Sequence, residues 1–240
     1  MSECSNLILT FTMSKPTPST SLWEWSLSQR GKSYRIIESK TMLFLTSNGL
    51  TSLMLIKEVQ KTLDHALSGH RAALVVTADP DYKEQNWHVK PCQQILQDLG
   101  LTVDLFDLDQ TDVKNLLNYD VVECIGGNPY YFLHRLNQSM AKPIFQQLAQ
   151  APDKLIMAWS ASALALGPSL RLIDRLTPEM NKWLTDLTGL HLFDDDLLPH
   201  FDQCQKRFKN LDTILKQFES DLHTKVRPLQ DGEGYWPNLR

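Results

Sequence analysis

From residue 42 onward the hydrophobic positions keep changing period. Met42–Thr46 is a short apolar run that stops at Ser47-Asn48-Gly49, which predicts a strand and a turn. Leu53, Ile56, Val59, Leu63 and Leu67 then recur at helical spacing and predict a helix over 50–67. Ala72–Thr77 predicts a buried strand and Ala78-Asp79-Pro80-Asp81 a turn. A helix should follow to about Leu99, with Gly100 where a C-cap glycine belongs. Thr102–Phe106 predicts the next strand, followed by a short helix to Leu117. Val121–Ile125 predicts a strand, Pro129–Gln150 a helix and Leu155–Trp159 another strand. Strands alternating with helices of this length predict an α/β fold, with a mostly parallel sheet covered by helices on both faces. Sites in such sheets gather at the carboxyl ends of the strands. Ser47-Asn48-Gly49, Gly126-Gly127-Asn128 and the turn at Ser160 should therefore face one crevice.

Beyond Trp159 the alternation weakens. Pro168 and Pro178 interrupt it, His191–Phe193 reads as a candidate strand, and Asp194-Asp195-Asp196 reads as an exposed acidic turn. Phe208–Phe218 has helical spacing, and Val226–Tyr235 reads as a terminal hairpin turning at Asp231-Gly232. Residues 1–41 differ from the rest. They carry clustered Ser, Thr and Pro around 15–20 and show no sustained period, so they predict a leader of loop or weakly ordered chain. Residues 42–240 are expected to form a single domain. The apolar patch Leu7–Met13 lacks a basic flank and a small-residue cleavage site, so export is not expected.

Composition narrows the function classes. The chain has 240 residues, 42% of them hydrophobic, and a net charge of −4 with acids and bases interspersed. There is no basic stripe for nucleic acid, no polybasic or lipidation signal, and no apolar run near the ~20 residues of a membrane helix. Neither nucleic acid nor membrane is thus an expected partner. The four cysteines are scattered, without a Cys-x-x-Cys pair. That pattern argues against a disulfide framework or a thiolate zinc site and for a cytoplasmic location.

The candidate chemistry centres on Leu155–Ala163. An apolar strand runs into Ser160 with small residues Ala158, Ser162 and Ala163 around it, as a sharp strand-to-helix turn requires. Such a turn presents the serine at the strand end and aims backbone N–H groups toward it; the alternative is an ordinary helix N-cap. A serine nucleophile needs a base, an acceptor that orients the base, and oxyanion donors. His200, after Pro199 and an apolar Leu-Leu stretch, is the candidate base, or else a surface histidine. Asp174 is the candidate acceptor, or else a solvated acid paired with Arg171 or Arg175. Gly126-Gly127-Asn128 can bring backbone N–H groups close, or can be a plain glycine turn. His191, Asp194, Asp196 and His200 suggest a metal-dependent hydrolase, but they lack a recognised ligand spacing.

Taken in order, Leu45-Thr46-Ser47-Asn48-Gly49, Gly126-Gly127-Asn128, Trp159-Ser160-Ala161-x-Ala163, Gly167-Pro168 and Pro199-His200-Phe201 resemble the dipeptidase E family. These are serine peptidases, aspartyl dipeptidases among them and cyanophycinase a relative, on a flavodoxin-like three-layer sheet related to class I glutamine amidotransferases. The resemblance covers about Met42 to Gly234. It implies Ser160 as nucleophile, His200 as base and Asp174 as the third member, with oxyanion N–H groups from Gly127 and Ala161. It further implies substrate contacts from Asn128 and Arg207, the latter gripping an acidic side chain. Short peptides are the implied substrate, dipeptides with N-terminal Asp in particular. No metal or cofactor is implied, and the protein is expected as a monomer or homodimer. Three departures stand out: Ala158 and Ser162 occupy usual glycine positions of the elbow, and Pro129 removes an N–H after the glycine segment. They motivate the alternative of a weakened or inactive homologue acting as a binding protein.

Overall fold

The computed structural model describes residues 25–29, 32–36, 42–66, 71–151 and 153–237. The chain divides into two compact units, 1–39 and 40–240. In the first unit, β1 (Trp25–Gln29) and β2 (Lys32–Ile36) pair antiparallel, with Leu27 opposite Tyr34, where the sequence predicts loop. The Ser/Thr/Pro-rich stretch and the Leu7–Met13 patch lie outside the described residues.

The second unit is built on a six-stranded sheet. Its strands are β3 (Met42–Thr46), β4 (Arg71–Val75), β5 (Thr102–Phe106), β6 (Val121–Cys124), β7 (Leu155–Trp159) and β10 (Gly234–Tyr235), in spatial order β10-β3-β7-β6-β4-β5. All neighbours are parallel except β10, which pairs antiparallel with β3. Alternation along the strands separates two cores. Leu43, Leu45, Val75, Ile156 and Ala158 face α3 (Pro129–Gln138), α4 (Ala141–Gln150) and α5 (Ala161–Leu166). Phe44, Leu74, Met157 and Trp159 face α1 (Leu53–Ala66) and α2 (Val89–Asp98). This is the three-layer α/β arrangement that the periodicity predicts. A third apolar cluster joins α6 (Arg171–Leu176), β8 (Asp196–Leu198), α7 (Phe201–Arg207) and α8 (Leu211–Leu222). No described helix is long and apolar enough to cross a membrane.

Three expectations are corrected. The helix expected over 129–150 breaks at Met140, whose φ is 52°, because the ring of Pro143 would clash with the carbonyl of Ser139 in a continuous helix. The late strand is Asp196–Leu198 rather than His191–Phe193. Asp196 is buried within it, its carboxylate accepting the Thr224 hydroxyl at 2.7 Å. The terminal segment is no hairpin. Its β9 (Val226–Pro228) pairs parallel with β8, while β10 joins the main sheet.

One acid in the core bears on stability. Glu123 points from β6 into the α1–α2 layer, fully buried, and burial pushes its carboxyl up to about 7, opposed by the Trp159 indole N–H. That indole nitrogen is itself buried without an acceptor in hydrogen-bonding geometry. Between the ordinary value of 4.5 and about 7 the folded chain keeps a proton that the unfolded chain has lost, so stability falls as pH rises through this window. Glu123→Gln should remove the decline. Thermal melts from pH 4 to pH 8 should show the wild-type Tm dropping relative to the variant and levelling above about 7. Parallel curves would refute the assignment.

Candidate active site

Four loops at the carboxyl end of the sheet converge on Ser160. The position of Ser160 is fixed by backbone geometry. Leaving β7, Ser160 has φ 51° and ψ −121°, a conformation that strains a non-glycine residue by about 1–3 kcal/mol and persists only where surrounding packing demands it. Its N–H is tied to the Thr46 carbonyl at 3.3 Å, and its own carbonyl accepts Leu164 N–H at 3.1 Å as α5 begins. The side chain is thereby held out of both strand and helix. The glycine expected at 162 is not required here: Ser162 sits inside α5 with no positive φ, and its buried hydroxyl donates to the Ile125 carbonyl. The departure becomes a tie between the elbow and the end of β6.

His200 and Asp231 arrive together because β8 and β9 are parallel neighbours. His200 comes two residues after β8 and Asp231 three after β9, so both emerge at the same end. Their loops are stitched by Leu229 N–H to the Leu198 carbonyl and Phe201 N–H to the Leu229 carbonyl, each 3.0 Å. His200 Nε2 lies 2.9 Å from Ser160 Oγ, and Nδ1 lies 2.7 Å from Asp231 Oδ1. A carboxylate only accepts, so Nδ1 carries the proton and Nε2 is the free base facing the serine hydroxyl.

The third member expected from the sequence was Asp174; the carboxylate at the imidazole is Asp231. Asp174 lies on α6, where Oδ1 accepts from Asn181 Nδ2 at 3.4 Å. In the sequence Asp231 shows itself only as a turn residue, beside Gly232. The antiparallel approach of β10 to β3 leads the chain in from the carboxyl edge of the sheet, which leaves Asp231 beside Ser47. The signal available in sequence was the acid's position downstream of both Ser160 and His200, in a turn next to a strand.

Ser47 completes the constellation. Its buried hydroxyl donates to Asp231 Oδ1 at 2.9 Å and accepts the His200 N–H at 2.8 Å, so one side chain positions both partners. Gln203 Nε2 donates to Asp231 Oδ2 at 2.6 Å, and the neighbouring Asn48 accepts Gly232 N–H at 2.9 Å. Burial pushes the Asp231 carboxyl up, but hydrogen bonds from Gln203 and Ser47 and the His200 ring outweigh it and hold it below the ordinary carboxylate value.

The glycine loop after β6 lies across from the elbow. A side chain on Gly127 would meet the Ala78 carbonyl oxygen at 2.3 Å, and one on Gly126 would meet the Trp159 ring at 2.4 Å. Neither the Gly127 nor the Ala161 N–H has a protein acceptor among the described residues, and both residues line the cavity at Ser160. Pro129 occupies the first turn of α3, where a missing N–H goes unneeded. Asn128, an expected substrate contact, is the cap of that helix. Its Oδ1 accepts Tyr130 and Tyr131 N–H at 3.0 and 3.1 Å. Gly127→Ala should displace this loop from Ala78 and lower kcat on any peptide substrate by roughly 10²–10³-fold, the usual loss for one oxyanion donor. Unchanged kcat with the same Tm would remove the donor role.

The cavity beside Ser160 encloses about 200 Å³. Leu164, Ile173, Met180 and Phe208 supply apolar wall, and Arg207 supplies a cation. Arg207 approaches Glu179 at 3.7 Å with both side chains more than half exposed, a pair worth little in water. The residues considered for a metal are otherwise engaged: both His200 nitrogens face Ser160 and Asp231, and Asp196 holds Thr224.

A family model, peptidase family S51, matches residues 43–235 of this chain. Among solved structures, the chain is similar to a candidate peptidase E from Listeria monocytogenes EGD-e, with 22% identity and a TM-score of 0.66 over 83% of this chain and 96% of that one. It is also similar to a peptidase from an acI-B1 Actinobacterium, with 16% identity and a TM-score of 0.62 over 83% of this chain and 84% of that one. At these identities the likeness concerns the fold. No curated protein matches the sequence.

Proposed function

This chain belongs to peptidase family S51 and is a serine-type peptidase, and from that premise we propose that Ser160, His200 and Asp231 hydrolyse short peptides. Ser160 Oγ attacks the scissile carbonyl carbon while His200 Nε2 takes its proton. The oxyanion is held by the N–H groups of Gly127 and Ala161. His200 then gives the proton to the leaving amine, the C–N bond breaks, and an acyl-serine ester remains. Water attacks the ester with His200 again as base, releasing the acid and restoring the hydroxyl. Asp231 keeps the imidazole in the productive tautomer and stabilises it when charged. The observation that carries this reading is the unbroken run of hydrogen bonds from Ser160 through His200 to Asp231, at 2.9 and 2.7 Å.

The cavity supports a reading of the substrate. A volume of about 200 Å³ falls below that of common ligand pockets and suits one side chain. Its walls are partly apolar and Arg207 is the one guanidinium among its lining residues, so an acidic side chain entering it meets a weakly engaged, bidentate partner. The preferred substrate is a dipeptide or short peptide with an N-terminal acidic residue. A panel of Asp-Xaa, Glu-Xaa and neutral dipeptides tests this. Arg207→Ala should raise KM for the acidic peptides about 10- to 100-fold, the worth of one hydrogen bond to a charged group. The neutral peptides should change far less. Equal shifts for both classes would take Arg207 out of recognition.

A further inference from the structure

An attacked peptide carbonyl has its acyl part on one side of the nucleophile and its leaving amine on the other. The cavity with Arg207 lies on the side of α5, α6 and α7. On the other side, Trp159, the residue before Ser160, projects into the α1–α2 layer. There His88 meets Trp159 edge-on, with ring centroids 5.0 Å apart and planes at 70°. The indole of Trp87 lies over His88 at 3.4 Å and 32°, and is 76% exposed. Three rings thus run outward from the strand that carries the nucleophile. We propose that Trp87 forms the subsite for the residue following the scissile bond, so that the enzyme favours peptides whose second residue is aromatic or large and apolar. This inference rests on the peptidase reading above.

The indole is displayed by a loop built to hold it. Asp79 Oδ1 accepts the N–H groups of Asp81 and Tyr82 at 2.9 and 3.0 Å, and its Oδ2 accepts Asn86 Nδ2 at 2.5 Å. Asn86 Oδ1 in turn accepts the His88 N–H at 2.8 Å. The same loop is pinned to the oxyanion segment, since the Ala78 carbonyl accepts Asn128 N–H at 2.8 Å. Burial pushes the His88 imidazole below its ordinary value, and the nearby His200 adds to that lowering. A broad indole face resting on the His88 ring offers stacking area to a substrate side chain. Among the described residues, Trp87 is the most exposed large apolar side chain.

Binding and turnover test it separately. Calorimetric titration of Ser160→Ala with uncleaved Asp-Phe, Asp-Leu and Asp-Gly should show Asp-Phe bound about tenfold tighter than Asp-Gly, in line with one aromatic stacking contact. In Ser160→Ala/Trp87→Ala that ratio should fall to within about twofold, and with Trp87→Phe it should largely return. Met140→Ala, which removes an equally exposed side chain at the α3–α4 corner, should leave the ratio intact. The kcat/KM ratios of the otherwise wild-type protein should follow the same order. A Phe-to-Gly ratio near one, a ratio indifferent to Trp87→Ala, or no binding of any peptide would overturn the subsite. Peptide binding governed by Trp87 but without turnover in wild type would instead overturn the catalytic reading and leave the subsite standing.

Discussion

Asp231→Asn is expected to lower kcat/KM by about 10³–10⁴-fold, the loss seen when a triad keeps its geometry but its imidazole is offered the wrong tautomer. Asparagine can present its N–H₂ where the carboxylate accepted, which favours the proton on Nε2 and leaves no base facing Ser160. Gln203 would still donate to the remaining side-chain oxygen and Ser47 Oγ would accept from the new N–H₂, so the fold should persist and the Tm should shift little. Asp174→Asn provides the contrast. Its carboxylate, carried on α6, accepts from Asn181 and not from the imidazole, and the variant should stay within about threefold of wild type. A large loss from Asp174→Asn with Asp231→Asn unaffected would reverse the assignment.

The second large effect belongs to Ser160, the proposed nucleophile. Ser160→Ala should abolish measurable hydrolysis, a loss on the order of 10⁴–10⁶-fold that leaves only what the oxyanion donors and binding supply. Because the strained φ of 51° persists with any non-glycine residue, alanine does not relieve the turn, and the variant should bind peptides as wild type does. Loss of binding together with loss of turnover would mean that the hydroxyl holds the elbow together rather than attacking substrate.

Much of this architecture is legible in the sequence because local physics and tertiary structure agree there. Strands β3, β4, β6 and β7 are largely apolar runs bounded by turn residues, and two-sided burial makes such runs conspicuous. Small residues around Ser160 mark the elbow, since strand and helix must approach closely there. Where reading failed, the deciding force was non-local. Asp231 has no feature of its own beyond a turn-forming Asp-Gly pair; what brings it to His200 is the pairing of β9 with β8 and of β10 with β3, 30 and 188 residues away in sequence at paired positions Asp196↔Val226 and Gly234↔Thr46. Asp196 looked like one of three exposed acids, but Thr224 satisfies it and allows a strand to be buried. Asn128 also has a structural role that local spacing leaves open, since its side-chain carbonyl caps α3 by accepting two helix N–H groups. Ser162 looked like a defect in the elbow until the Ile125 carbonyl supplied an acceptor.

Mass spectrometry of the folded protein after reaction with a fluorophosphonate tests the hydroxyl most directly, since the reagent phosphonylates only a serine whose proton a neighbouring base removes. The expected result is a single adduct on the peptide containing Ser160, lost in His200→Ala and slowed in Asp231→Asn. An unlabelled Ser160 in folded wild type, or labelling that persists unchanged in His200→Ala, would contradict it.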